Sequence, residues 1–278
     1  MKHISSDIYN ETGGTIYEVQ DIFISRDGIW HRHGIPVSPT QAISRVDVIF
    51  NALHGHYGED GKVQHILELH GIPFTGSGSF SSALGMNKSL TKEIFKREKI
   101  KNPQYKIVDK SEKLTTEKLI SLFRSFPLPL VVKPAFSAET YIVKDFTSFG
   151  ELINKAFEYS DVVIVEEFIP GIEVSVGVID GYREVPIYTL PVSDSHRFSD
   201  EEKFEVEKLA KKVHRSLGLR HYSSVDFIVN PKRGIFVLEA NSLPKLSDED
   251  SLSKALADVG ASLSHFFHHV LQLALSRR

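Results

Sequence analysis

Between Tyr222 and Pro244, apolar residues recur at every second position on both sides of a short segment, Pro231 to Gly234. A period of two is typical of a β-strand, and proline and glycine are typical turn residues. We therefore predict a β-hairpin whose loop runs from Pro231 to Gly234 and in which Asn230 pairs with Ile235.

That register brings two acidic side chains together. Asp226 and Glu239 face each other across the predicted hairpin, and Asn241 lies two residues further on the same face. Opposed carboxylates repel, and more strongly when buried, so a divalent cation between them would remove a cost. Two carboxylates and an amide oxygen suit Mg²⁺. The alternative is a register slip that turns both acids towards solvent.

The N-terminal half has a different pattern, in which an apolar run is followed by a loop and a helix. Residues 45–53 are typical of a buried parallel strand, and the amphipathic stretch 62–70 predicts a helix. This order indicates an α/β unit, and ligands bind at the carboxyl ends of such strands. His54 and Glu59, in the intervening loop, are therefore candidate cleft residues; the alternative for His54 is a helix cap.

The remaining pattern mixes helices with strands. Predicted helices cover residues 87–99 and 262–275, and predicted strands cover residues 130–133, 162–169, 172–179 and 185–190.

Composition narrows the functional classes. The chain has 278 residues, of which 41% are hydrophobic and 25% charged, as in an ordinary water-soluble protein of two or three subdomains. A net charge of -3 argues against nucleic acid or an anionic membrane as a partner. With no cysteine, neither disulfides nor thiol chemistry is available. The chain shows neither a signal-peptide core nor an apolar run of about 20 residues, so a cytoplasmic protein is expected.

Several motifs together resemble one family. The segments are ALHGHYGEDG, GIPFTGSG, MNKSLTK, VDFIV and FVLEANSLP, and they resemble motifs of the D-alanine–D-alanine ligases, within the ATP-grasp superfamily. The resemblance extends from about Tyr17 to the C-terminus. It implies an ATP-grasp fold of α/β and α+β parts, with a truncated Rossmann-like N-terminal domain in residues 1–86, a central subdomain in 87–170 and a C-terminal subdomain in 171–278.

The same resemblance implies an activity and a set of roles. The activity is that of an ATP-dependent carboxylate–amine ligase that acts on small amino acids through an acyl phosphate, with ATP and Mg²⁺. The implied ATP ligands are Lys88 and Lys133 for the phosphates, Glu166 for the adenine amino group, Phe168 for the base and Glu173 for the ribose. The implied metal ligands are Asp226, Glu239 and Asn241, and the implied substrate residues are His54, Glu59, Ser251 and Leu252.

Four features depart from the family pattern. The ligases begin with a strand, a glycine pair and a helix carrying a substrate-binding glutamate, and the matching stretch here starts after that unit. The loop after Lys133 contains no glycine, so the backbone nest that grips phosphate is expected to be lost. The lid segment 191–204 is short. Ser224 occupies the position of an arginine that steadies developing negative charge.

Lys245 stands where the family has glycine. Its ammonium group either returns the missing positive charge, which makes Ser224 and Lys245 the candidate catalytic pair, or fills the substrate pocket. Three interpretations follow. They are an active ligase, a nucleotide-binding pseudoenzyme with a regulatory or scaffolding role, and a ligase for a different amino-acid pair; a homodimer is compatible with each.

Overall fold

The computed structural model describes residues 8–9, 15–192 and 197–276. The predicted lid falls partly outside this set, at residues 193–196. Within the described ranges, no helix combines the length and apolar character needed to cross a membrane.

The N-terminal part contains two small antiparallel sheets and four helices. The strands are β1 (Ile8–Tyr9), β2 (Thr15–Tyr17), β3 (Ile22–Ile24), β4 (Trp30–Arg32) and β5 (Ile35–Val37); the helices are α1 (Pro39–Ala42), α2 (His56–Glu59), α3 (Lys62–Leu69) and α4 (Ser79–Met86). Strand β1 pairs with β2, and β3, β4 and β5 form a meander. Trp30, Leu67 and Phe74 are the centre of a buried apolar cluster that joins the meander to α3.

The predicted parallel strand at residues 45–53 is wrong in extent. The described residues contain only one parallel bridge there, between Ile49 and Phe74. Two backbone hydrogen bonds form it: Ile49 N donates to Pro73 O at 2.9 Å, and Thr75 N donates to Ile49 O at 2.9 Å. The predicted burial was also wrong, because the apolar side chains of residues 45–53 are half-buried or exposed and the buried residue of the run is Asn51. A ladder needs a partner strand of matching length, and here the partner segment offers a single bridge.

The central part is an antiparallel sheet packed against helices. Its elements are α5 (Lys88–Arg97), β6 (Tyr105–Asp109), α6 (Thr116–Phe123), β7 (Leu130–Pro134), β8 (Tyr141–Val143), α7 (Phe146–Ala156) and β9 (Val162–Glu167). The strand order is β6-β9-β7-β8. Phe149 and Ile153 on α7 are fully buried against the apolar residues of β7 and β9.

The C-terminal part is built around a second antiparallel sheet. Its elements are β10 (Ile172–Asp180), a 3-10 turn (Tyr182–Glu184), β11 (Ile187–Thr189), α8 (Asp200–Ser216), β12 (Tyr222–Asn230), β13 (Gly234–Asn241), α9 (Ser251–Asp258) and α10 (Leu263–Leu275). The strand order is β11-β10-β12-β13. Val206, Ala210 and Val213 of α8 are buried with residues of β10 and β12.

The predicted division of the chain into three domains, at residues 86/87 and 170/171, stays a proposal.

The hairpin β12–β13 has the predicted pairing at the acids and a different one at the turn. Asp226 pairs with Glu239, but Asn230 pairs with Gly234 rather than Ile235. The turn is tighter because the Asn230 side chain organises it: Oδ1 accepts hydrogen bonds from the backbone N–H of Lys232 at 2.9 Å and of Arg233 at 2.7 Å. Such local side-chain turns compete with the simple ladder.

A bulge restores the register further along the hairpin. Phe227 pairs with Val237, and the next pair is Asp226 with Glu239, so Leu238 is the extra residue. A β-bulge bends one strand and re-aims its side chains. Here it brings Glu239 opposite Asp226, although the turn starts one residue out of the predicted register.

One ion pair joins the central and C-terminal sheets. Glu167 at the end of β9 binds Arg233 in the β12–β13 turn through two contacts, at 2.8 and 3.0 Å. The carboxylate also accepts a hydrogen bond from the backbone N–H of Gln104 at 3.0 Å. The Arg233 guanidinium lies over the Phe236 ring at 4.9 Å. Both the fork-like pairing and the stacking are geometries that arginine, unlike lysine, supplies.

Replacing Arg233 with methionine is expected to lower the free energy of unfolding by about 1–2 kcal/mol. The side chain of Glu167 is only 7% exposed and would lose its cation, whereas the 44% exposure of Arg233 screens part of the interaction. Urea denaturation measures the change. The control is Arg97→Met, which removes an exposed pair with Glu98 and should change stability by less than about 0.5 kcal/mol. Equal losses in both variants would mean that this pair stabilises no more than a surface contact.

Candidate active site

The acidic pair joins the inner strand β12 to the edge strand β13 of the C-terminal sheet. On one side of Asp226, Glu239 is its partner on β13; on the other side, Ser175 is its partner on β10. Burial is the main cause that raises the pKa of Asp226, to about 6, against a lowering hydrogen bond from Ser175 and with further repulsion from Glu239 and Glu173. A cation between the carboxylates would relieve this cost.

The donor set fits a hard divalent cation. Asn241, the predicted third ligand, ends β13 and is paired with Ser224. Its Oδ1 accepts one hydrogen bond, from the Leu243 backbone N–H at 2.8 Å, which leaves a lone pair for a metal. In the described part of the chain, no group of three or more His, Cys, Asp or Glu side chains is arranged for a metal, so a Mg²⁺ ion here would need the amide and external oxygens.

Lys88 joins the acidic pair to the central sheet. Its Nζ lies 3.2 Å from Oε2 of Glu239 and donates to the carbonyl oxygen of Ser137 at 3.0 Å. Its backbone N–H donates to Ala135 O at 3.0 Å. Lys88 is the first residue of α5, whose first turn is capped by the side chain of Asn87. The predicted phosphate lysine therefore touches both the glycine-free loop and a predicted metal ligand.

Lys133 lies in a buried cluster with Glu166 and Lys92. Lys133 Nζ is 2.6 Å from Glu166 Oε1, and Lys92 Nζ is 2.7 Å from Glu166 Oε2. Burial would raise the pKa of the Glu166 carboxyl, but the two ammonium groups outweigh it and lower that pKa. Burial likewise opposes the charge of Lys133, and Glu166 outweighs it, so the pKa of Lys133 is raised. For Lys92, burial dominates and its pKa is lowered.

The other predicted nucleotide residues lie around this cluster. Phe168 follows β9 directly and is half-buried, whereas Glu173 is exposed on the second residue of β10. The charge of Glu173 acts on both Lys133 and Asp226. An exposed carboxylate and a half-covered ring suit the predicted contacts with ribose and base.

The loop before α3 reaches the same region. Glu59 accepts a hydrogen bond from the backbone N–H of Gly55 at 2.8 Å. Burial raises the pKa of Glu59, opposed by that hydrogen bond and by electrostatic interactions with His54, Lys245 and Lys88. The predicted first-substrate residues, the candidate catalytic lysine and a phosphate lysine thus share one electrostatic neighbourhood. Within the described residues, Lys245 is exposed and makes no ion pair or hydrogen bond of its own.

The predicted second-substrate residues begin α9. Leu252 is 2% exposed and packs in the apolar cluster around Tyr222, so its side chain cannot line a polar pocket. Ser251 is exposed. The first turn has no side-chain cap, because the Asp250 carboxylate accepts instead from the backbone and hydroxyl of Ser247. Open backbone N–H groups at a helix N-terminus can receive a carboxylate.

Ser224 is 7% exposed and lies between Gly177 on β10 and Asn241 on β13. Its hydroxyl brings no charge to the site. Sequence reasoning missed Lys92, which forms an ion pair with Glu166, and Ser175, whose side chain hydrogen-bonds to Asp226. A signal existed for Lys92, since it lies four residues after Lys88 in the MNKSLTK segment, which places both lysines on one face of α5.

Comparison with known proteins extends the resemblance to most of the chain. Residues 27–77 match the family profile described as "D-ala D-ala ligase N-terminus", and residues 86–245 match the "ATP-grasp domain" profile. A D-alanine–D-alanine ligase of Geotalea uraniireducens (strain Rf4) is 34% identical over 249 residues, which cover 82% of this chain and 79% of the relative.

Solved structures agree in fold. The D-alanine–D-alanine ligase of Bacillus anthracis complexed with ATP superposes with a TM-score of 0.75 at 30% identity, over 85% of this chain and 81% of that one. The VanG D-Ala:D-Ser ligase of Enterococcus faecalis gives a TM-score of 0.84 at 23% identity, over 96% and 92% of the two chains, which supports the fold alone. The chain belongs to the D-alanine–D-alanine ligase family and is an ATP-dependent carboxylate–amine ligase with the ATP-grasp fold.

Proposed function

We propose that this ligase uses Mg²⁺ and ATP to join two small amino acids, with D-alanine as the first substrate to test. The observation that supports the proposal most directly is the position of Lys88, between the loop carbonyl of Ser137 and the carboxylate of Glu239. A cation at that point faces both the expected phosphate path and the expected metal ligands.

The proposed reaction has two steps. A carboxylate oxygen of the first amino acid attacks the γ-phosphorus of ATP, the bond from that phosphorus to the bridging oxygen breaks, and ADP leaves. The nitrogen of the second amino acid then attacks the acyl carbon, the carbon–oxygen bond to phosphate breaks, and the amine loses its protons to solvent or base. A Mg²⁺ ion held by Asp226, Glu239 and Asn241 would neutralise phosphate charge.

The chain's own residues contribute position and charge. Lys88 and Lys133 offer two ammonium groups to the phosphates, and charge-assisted contacts of this kind are among the stronger hydrogen bonds. Glu59 and His54 lie beside the expected first amino acid. The uncapped N-terminus of α9 offers backbone N–H groups to the second carboxylate. Preorganised charge at the reacting groups is the usual main source of rate enhancement.

The decisive experiment is ADP release in the presence of Mg²⁺ and a panel of amino acids. D-alanine is expected to stimulate ADP release, and L-alanine serves as the matched control. Turnover only with another amino acid would replace the proposed substrate and keep the reaction class. The absence of turnover with every amino acid would favour the pseudoenzyme interpretation, which the similarity to ligases does not favour.

Binding of the nucleotide is tested independently of turnover. Millimolar Mg²⁺–ATP is expected to raise the melting temperature, because a ligand that binds the native state stabilises it by mass action. The control is ATP with the metal chelated, which should give a smaller shift. An unchanged melting temperature with Mg²⁺–ATP would contradict both the proposed function and the pseudoenzyme alternative.

The proposed function also implies a cellular compartment, a class of partners and an oligomeric state. We place it in the cytoplasm, where its ATP is available, with small amino acids as partners and neither nucleic acid nor membrane, in keeping with a net charge of -3. We also propose a homodimer, which sedimentation would detect as about twice the chain mass of 31.3 kDa.

A further inference from the structure

The Glu166 carboxylate forms ion pairs with two lysines, and in the proposed function one of these lysines binds the ATP phosphates instead. Its side chain is 2% exposed, with Lys133 on one oxygen and Lys92 on the other. In the proposed function, Lys133 moves to the ATP phosphates. Its departure would free Oε1 of Glu166, the oxygen that Lys133 contacts at 2.6 Å. A buried carboxylate with no cation beside it would take up a proton. Once Lys133 has moved, Lys92 is therefore the lysine that keeps a positive charge beside Glu166.

The side chain of Lys92 is held in place by burial and by an aromatic neighbour. Its side chain is 3% exposed, on the second turn of α5, and its Nζ lies 4.9 Å from the centre of the Tyr105 ring. The Tyr105 hydroxyl is in turn fixed by donation to Glu93 at 2.8 Å. Packing on an aromatic face keeps the ammonium group aimed at Glu166.

We propose that Lys92 is a specificity-determining positioning residue. It remains on Glu166 when Lys133 moves to the phosphates, and so keeps the carboxylate ionised as an acceptor for the 6-amino group of adenine. This inference rests on the proposed function, since it presupposes ATP binding at Glu166 and Lys133.

Ionisation of Glu166 decides between two purine nucleotides. An ionised carboxylate only accepts hydrogen bonds. It therefore favours adenine, which presents a 6-amino donor, over guanine, which presents a 6-carbonyl acceptor. A protonated carboxyl can donate to that carbonyl and would lose the preference. Sites built around one hydrogen-bonding pattern reject ligands that leave buried groups unpaired.

The test compares the dissociation constants of Mg²⁺–ATP and Mg²⁺–GTP by calorimetry. In Lys92→Met, the preference for ATP over GTP is expected to fall by about tenfold or more. Lys92→Arg, which restores the charge, should retain most of the preference. The matched control is Lys96→Met, an exposed lysine one turn later on the same helix, and it should leave both constants unchanged.

A further variant separates charge from structure. In a Glu166→Gln background, Lys92→Met should cause no additional loss of preference, because the carboxylate that it serves is gone. If Lys92→Met does not fold, Lys92→Gln, which keeps a donor without the charge, is measured for the same fall. Equal weakening of both nucleotides, or an unchanged preference, would overturn the inference. A parent protein that binds neither nucleotide would instead contradict the proposed function.

Discussion

Replacing Asp226 with asparagine is expected to stabilise the ligand-free protein and to weaken Mg²⁺-dependent ATP binding by about 10²-fold, equivalent to about 3 kcal/mol. The two effects have one cause. Burial and the nearby carboxylates raise the pKa of Asp226 to about 6 from its ordinary 3.8, so the ionised form opposes folding when no cation is present. The shift corresponds to about 3 kcal/mol as an upper value. Asparagine keeps the shape and removes the charge.

The pH dependence follows from the sign of this shift. Because the folded pKa lies above the unfolded one, the cost is complete above about pH 6 and disappears as the pH falls towards the ordinary value of 3.8. The gain in free energy of unfolding of Asp226→Asn over the parent should therefore be largest at neutral pH and should disappear in acid. Denaturant titrations at several pH values measure it.

The control for this prediction is Asp109→Asn. Hydrogen bonds from Ser111 lower the pKa of Asp109, so the same substitution should leave the protein slightly less stable and should not affect ATP binding. A loss of stability in Asp226→Asn, or unchanged metal dependence of its ATP binding, would show that the acidic pair is not a metal site.

Replacing Lys245 with glycine, the residue that the family carries at this position, is expected to lower the rate of ADP release by roughly 10²–10³ with ATP affinity retained. In the proposed mechanism, Ser224 stands where the family pattern has an arginine, so another cation would have to stabilise the developing negative charge. The exposed ammonium group of Lys245 acts electrostatically on Glu59 and Asp250, and Glu59 is a predicted first-substrate residue. A cation that acts more strongly on the transition state than on the ground state raises the rate.

A second variant separates charge from bulk at this position. Lys245→Met keeps most of the stem and removes the charge, so it should lose as much rate as Lys245→Gly. Lys254→Met, an exposed lysine on α9, is the control and should be unaffected. If Lys245→Gly instead gains activity with D-alanine while Lys245→Met does not, Lys245 blocks the pocket. Steady-state assays on the three variants decide between the two roles.

Alternation along residues 222–244 was enough to predict the hairpin and to place Asp226 opposite Glu239. A strand's side-chain period is a local property of the backbone, so local sequence reveals it. The predicted turn was wrong because the Asn230 side chain forms a tighter loop than the pattern implies, and the alternation did not predict the bulge at Leu238. Each deviation shifts the pairing by one residue, in opposite directions, so Asp226 still pairs with Glu239 as predicted.

The family motifs likewise named Lys88, Lys133 and Glu166 from short segments of sequence. Their partners were not visible there. Lys92 and Glu166 are 74 positions apart in the chain, and only the tertiary fold brings their charged groups to 2.7 Å. Leu252 is a similar case, since the tertiary structure buries its side chain in the core, so the predicted contact with a substrate carboxylate would have to come from its backbone N–H.

By itself, the sequence determined the β12–β13 hairpin, the acidic pair and the family. The tertiary structure alone decided which charges meet. It placed Lys88 between two parts of the chain, gave Glu166 two cations and set the Lys245 ammonium near Glu59. The physical reason is that periodicity and motif spacing report on neighbours a few residues away, whereas electrostatic partners are set by the distance in space and by the burial that strengthens them.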